Sequence, residues 1–171
     1  MELSWLQTTG GRLSPKMEHL FIDRARPTDQ DAVVALLAAQ MAEHRVQSET
    51  EKLLQVFHRI LADEHSGFVL VARLHSEIVA VAYVATILSA EHGGRTGWLE
   101  ELYVTPRQRK RGIGSALLSR IITLARELGL VALDLEVDAD HQRAESLYAR
   151  FGFRRLPRSR WVRESFLRDF S

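Results

Sequence analysis

Apolar residues recur along this chain with two spacings, and the switches between them outline its elements. Leu20 to Ala25 is a short apolar run of strand length. Thr28 and Asp31 then resemble a capping box. Val33, Leu36, Leu37, Gln40, Met41 and His44 follow helical spacing, which predicts a first helix to about Arg45. Ser48 and Glu51 repeat the capping signal, and Leu53, Leu54, Phe57, Ile60 and Leu61 predict a second helix to about Glu64. Gly67 breaks the rhythm. Phe68–Ala72 and Ile78–Val84 are rich in β-branched residues and flank His75-Ser76-Glu77, so they read as a hairpin.

Glu91 to Thr96 reads as a loop, and Trp98 to Val104 as a fourth strand stopped by Pro106. Ile113, Leu117, Ile121, Leu124, Ala125 and Leu128 share one face of a long helix beginning at Gly112, and Gly129 stands where a helix stop belongs. Val131, Leu133, Leu135 and Val137 alternate with polar residues or alanine as a fifth strand. Asp140 is a candidate cap for a fourth helix carrying Ala144, Leu147, Tyr148 and Phe151, ended by Gly152. Phe153–Leu156 and Trp161–Leu167 read as two final strands. The predicted class is α/β, a mixed sheet with helices packed on it, and the unit from 98 to 137 should be a right-handed parallel crossover.

Composition narrows this further. Hydrophobic residues make up 46% and charged residues 26%, a balance that argues against disorder. The length suits one folded domain, placed at 19–171 behind a flexible N-terminal extension at 1–18. The formal net charge of +1 gives no reason to expect a nucleic-acid or membrane partner. The absence of cysteine excludes disulfides, cysteine nucleophiles and thiolate metal sites. The histidines lack metal-ligand spacing, so no metal is expected. No apolar run approaches the roughly 18 residues of a membrane span, and no leader pattern opens the chain. A cytoplasmic location is the expectation.

The densest chemistry lies after the fourth strand. A basic stretch, Arg107-Gln108-Arg109-Lys110-Arg111, leads into Gly112-Ile113-Gly114 and directly into the long helix. A helix start exposes unpaired N–H groups and carries partial positive charge, and glycines let backbone approach a ligand closely. That combination reads as an anion site, most naturally for a pyrophosphate. It lacks the Gly-Lys-Ser/Thr of a phosphate-loop NTPase, and Leu117 stands where a dinucleotide fingerprint needs a small residue. A solvated basic patch at a glycine-rich helix start is the plain structural alternative.

Arg109-x-x-Gly112-x-Gly114, after a strand and opening a helix, resembles the signature of the GCN5-related N-acetyltransferase superfamily. Ala144-x-x-Leu147-Tyr148-x-x-x-Gly152-Phe153, about 30 residues on, is similar to a second segment of that family. The resemblance spans nearly the whole chain. It implies an acyl-CoA N-acyltransferase fold, a sheet of roughly seven strands flanked by four helices, with the fourth and fifth strands splayed around acetyl-CoA. It implies that the backbone of Leu102, Tyr103 and Val104 pairs with the pantetheine arm of coenzyme A. The pyrophosphate would rest on the backbone of Arg109, Lys110, Arg111, Gly112, Ile113, Gly114 and Ser115. His141 stands where many relatives carry Asn near the pantetheine.

The implied reaction transfers an acetyl group directly to a primary amine of a small molecule or peptide. Glu100 and Glu101 interrupt an apolar strand, where a charge is costly without a role or a partner. Alternation puts them on opposite faces, and a bulge would exchange those faces. The stretch resembles the Tyr-Leu-Glu-Asp strand of polyamine acetyltransferases, which selects Glu100 as the base. The second segment selects Tyr148 as the acid for the departing thiolate. The alternative is a non-catalytic acyl-CoA sensor or interaction module on the same fold. A homodimer is expected by analogy with relatives.

Overall fold

The apolar runs assemble into one mixed sheet. A computed structural model describes residues 19–137, 142–158 and 161. The elements are β1 (Leu20–Arg24), α1 (Gln30–Glu43), α2 (Thr50–Ala62), β2 (Gly67–Leu74), β3 (Glu77–Ser89), β4 (Gly94–Val104), α3 (Ile113–Glu127), β5 (Ala132–Leu135) and α4 (Gln142–Arg150). The sheet has five strands in the order β1-β2-β3-β4-β5. All neighbours are antiparallel except β4 and β5, which are parallel and joined through α3. The chain divides into two compact units, Met1–Glu136 and Val137–Ser171. The sheet and α1–α3 belong to the first and α4 to the second.

Each face of the sheet is covered because its strands carry apolar residues on both sides. Val69, Val71, Val81 and Tyr103 pack with Val33, Leu37, Phe57 and Ile60 of α1 and α2. Leu70, Ala72, Ala80 and Ala82, at the alternate positions, are fully buried on the other face. There α3 packs on β2, β3 and β4 and buries Ile113, Leu117, Leu118, Ile121 and Leu124. Burial of each such Leu or Ile contributes about 1.5–3 kcal/mol. Both long helical stops form as the sequence predicts. Leu130 N–H bonds to Ala125 O and Gly129 N–H to Arg126 O, and Phe153 and Gly152 repeat this with Tyr148 and Ala149.

Several boundaries differ from expectation. Thr28 does not open α1. A short 3₁₀ turn, Pro27–Asp29, intervenes, and the buried Asp29 carboxylate reaches back to Arg26 N–H at 2.7 Å and across to Arg73 at 2.6 Å. Glu49, not Ser48, precedes α2. The segment read as a loop at 91–96 is partly strand, because Gly94, Arg95 and Thr96 pair with Ser89, Leu88 and Ile87. Phe153–Leu156 is not a strand. Its two apolar residues flank the adjacent pair Arg154-Arg155, so it has no alternating apolar face to bury. Trp161 is exposed and outside any strand, and the rest of the second expected terminal strand, with Asp140, lies outside the described residues. The described sheet therefore has five strands rather than roughly seven.

Gly67 is where α2 hands over to β2. Its φ is +148°, and a Cβ there would be driven into the Val84 carbonyl oxygen of the neighbouring strand. Backbone strain and a clash with backbone act together. Gly67→Ala is expected to destabilise the fold by about 3 kcal/mol, measured as a lower urea midpoint with an unchanged m-value.

Candidate active site

The site begins where β4 and β5 part. β5 pairs with β4 only from Thr96 to Leu99, whereas β3 pairs with β4 along its full length. Among the described residues, no strand lies against the second edge of β4 beyond Leu99. Thr105 N–H donates to Val79 O at 3.0 Å, with Ala80 opposite Val104. In an antiparallel ladder this turns the backbone groups of Tyr103 toward Val81 and those of Leu102 and Val104 toward the open edge. Of the three residues assigned to pantetheine pairing, Leu102 and Val104 thus face the gap. Tyr103 does not, because its N–H and C=O belong to the β3 ladder.

A bulge decides which glutamate faces the helices. Tyr83 lies opposite Glu101 and Val84 opposite Leu99, so Glu100 is the extra residue. Glu100 is exposed. Glu101 is half-buried on the same face as Tyr103, beneath the last turn of α1. Burial pushes the Glu101 carboxyl from about 4.5 up to about 7, and the charge of Glu100 adds to the rise. His44 and a hydrogen bond from the Gln40 amide oppose it. Gln40 is itself buried, and its Oε1 has no hydrogen-bond partner. Burial, with the nearby Glu100 charge, also raises the Tyr83 hydroxyl.

The loop after β4 presents backbone rather than side chains. Lys110 and Gly112 have φ of 62° and 85°, both in the left-handed region. For Lys110 this conformation costs roughly 1–2 kcal/mol. Gly112 precedes α3, and the first helical bond runs from Ala116 N–H to Gly112 O at 2.9 Å. The N–H groups of Ile113, Gly114 and Ser115 come before that bond, and no side chain caps the helix. Left-handed backbone at 110 and 112 and a helix start with no side-chain cap leave N–H groups available, which suits an anion. Arg107, Lys110 and Arg111 are exposed beside it.

Arg109 behaves differently from the rest of the basic run. Its terminal nitrogen donates to both carboxylate oxygens of Glu43, at 2.7 and 2.8 Å, and its Nε donates to Val104 O at 2.8 Å. Tyr103 donates its hydroxyl to the same Glu43 at 2.9 Å, and the guanidinium lies 5.2 Å from the Tyr103 ring centre. The Arg109 hydrogen bond holds the Glu43 carboxyl below the usual carboxylate range against the effect of burial, and Tyr103 adds to the lowering. Sequence reasoning missed Glu43 and Gln40 as parts of this site. The available signal was Gln40 standing polar within the apolar spacing of α1.

Tyr148 lies in α4, half-buried and edge-on to Phe153 with ring centres 5.7 Å apart. His141 lies outside the described residues. Among the described residues no cluster of three or more His, Asp or Glu is placed to hold a metal ion, and no helix is long and apolar enough to cross a membrane.

The chain is similar to known proteins in sequence and in fold. A profile of the acetyltransferase (GNAT) family matches residues 32–153. The N-acetyltransferase YhfO of Bacillus subtilis (strain 168) is 26% identical over 130 residues, covering 76% of this chain and 87% of that protein. Mycothiol acetyltransferase of Propionibacterium freudenreichii is 30% identical over 136 residues, covering 80% of this chain and 43% of that protein, so this chain spans less than half of its length. A solved structure from Clostridium acetobutylicum, determined with acetyl-CoA, matches with a TM-score of 0.71 over 89% of this chain and 99% of that one, at 20% identity. The profile covers most of the chain and includes the strand, the loop and the fourth-helix segment, and on that ground the chain belongs to the GNAT family of acetyltransferases.

Proposed function

We propose that this protein transfers the acetyl group of acetyl-CoA directly to a primary amine of a small molecule or peptide, with Glu101 rather than Glu100 as the base. The observation that carries the choice is the bulge at Glu100, which leaves Glu100 exposed and turns Glu101 into the half-buried face beside Gln40 and His44. The open edge of β4 fits an extended thioester arm bearing amides: Leu102 offers N–H and C=O, and Val104 offers N–H. The uncapped start of α3 and the left-handed backbone at 110 and 112 fit the pyrophosphate. Similarity to mycothiol acetyltransferases and to the D-amino-acid N-acetyltransferase HPA3 of Saccharomyces cerevisiae supports a small polar acceptor.

An alkyl amine is protonated below a pKa of about 10.4 and must lose a proton to attack. Glu101, poised near neutrality, takes that proton. A C–N bond then forms at the thioester carbonyl, an N–H group on the open edge of β4 donates to the oxyanion, and the C–S bond breaks. Tyr148 supplies a proton to the departing thiolate, and the second proton, lost by the nitrogen as the amide forms, restores the phenol through solvent.

Three variants test this reading. Glu101→Gln is expected to lower kcat/KM roughly a hundredfold or more and to abolish the limb that rises through about pH 7 in the wild type. The same variant has a second, opposite signature. The folded-state pKa of Glu101 lies above its unfolded value, so its favourable contribution is complete below about 4.5 and lost as pH rises through about 7. Glu101→Gln should therefore raise the melting temperature at pH 8 more than at pH 5. Tyr148→Phe is expected to lower turnover roughly tenfold to a thousandfold, and unchanged single-turnover chemistry would remove Tyr148 from the mechanism. Gly112→Asp places a carboxylate and a side chain at the anion site, and calorimetry should show acetyl-CoA affinity falling by about tenfold or more.

A further inference from the structure

The last turn of α1 reaches the loop that follows β4 through a single carboxylate. Glu43 accepts two hydrogen bonds from Arg109 and one from the Tyr103 hydroxyl. Arg109 in turn donates to Val104 O, so one guanidinium joins α1, the end of β4 and the first residue of the loop. With Nη2 shared between both Glu43 oxygens and Nε held by Val104 O, the guanidinium is fixed in direction as well as distance. Arg109 begins the segment whose backbone turns left-handed at Lys110 and Gly112. Wherever its side chain is held, the following N–H groups are aimed accordingly.

We infer that Glu43 is a positioning residue, which through Arg109 sets the backbone of the loop that binds the coenzyme A pyrophosphate. The inference rests on the reading of that loop as the pyrophosphate site. It gives Arg109 a role different from that of a phosphate ligand: its charge is matched by Glu43, and its three hydrogen bonds are spent inside the protein. Affinity for the anion then depends on loop shape, supplied by the strut, more than on the Arg109 charge. The competing account makes opposite predictions. If the Arg109 charge bound phosphate directly, removing the Glu43 carboxylate would release the guanidinium and tighten binding.

The test is calorimetry of coenzyme A with the wild type, Glu43→Gln, Arg109→Gln and the double variant, each confirmed folded by circular dichroism at the titration temperature. Each single variant is expected to weaken Kd about tenfold, and the double variant no further, because both break the same link. Wild-type or tighter affinity in Glu43→Gln would overturn the inference. So would losses that multiply in the double variant, since they would mean that the two residues act independently. Failure of the wild type to bind coenzyme A would instead refute the reading of the loop itself.

Discussion

After Leu99, β4 keeps its ladder to β3 and loses its ladder to β5, and the site is organised around that asymmetry. Backbone N–H and C=O groups in a sheet need partners, and an open edge leaves them facing outward. Here the open stretch is short and one of its carbonyls, Val104 O, is already taken by Arg109. The groups left on that edge belong chiefly to Leu102 and Val104. An extended ligand carrying amides completes such an edge as a further strand would. The start of α3, with no side-chain cap, follows the same strand in sequence, so under the proposed function the arm on the edge and the anion at the helix start would be parts of one ligand.

The bulge adds a second constraint at the point of separation. Strict alternation from Leu99 would put Glu100 on the face covered by α1. One extra residue puts Glu101 there instead and keeps Tyr103 in the same register. Both side chains then meet the last turn of α1, where Gln40 bonds Glu101 and Glu43 bonds Tyr103 and Arg109. Gln40 and Glu43 are three apart and share one helix face. A single turn of helix thus touches the proposed base and the proposed cofactor loop.

The sequence made the periodic features legible and left the long-range ones hidden. Apolar spacing located the four described α-helices and the five strands, because burial on one or two faces writes itself into spacing, but not the short 3₁₀ turn at Pro27–Asp29. The glycine stops at 129 and 152 were readable from local chemistry. The bulge was not, since Leu99-Glu100-Glu101-Leu102 satisfies either register and only pairing with Tyr83 and Val84 decides between them. The commitment of Arg109 was equally hidden, because Glu43 is remote in sequence and a basic run looks uniformly cationic when read alone. The segment at 153–156 misled in the opposite way: Phe153 and Leu156 look strand-like, but Phe153 instead completes the stop of α4 and packs on Tyr148.

Glu101 shows what such a site costs the fold. A half-buried carboxyl beside another glutamate is held near neutrality only because the charged form is disfavoured there. Gln40 offsets part of this through its amide, yet its own Oε1 is left without a partner in a buried position, a second unfavourable feature in the same place. A leucine at 101 with an apolar residue at 40 would relieve both and join the neighbouring core. Under the proposed function, an acceptor amine brought to Glu101 would meet a carboxylate able to take its proton. A carboxyl disfavoured in its charged form, at a position otherwise suited to core packing, adds to the bulge as a physical reason for proposing Glu101 as the base.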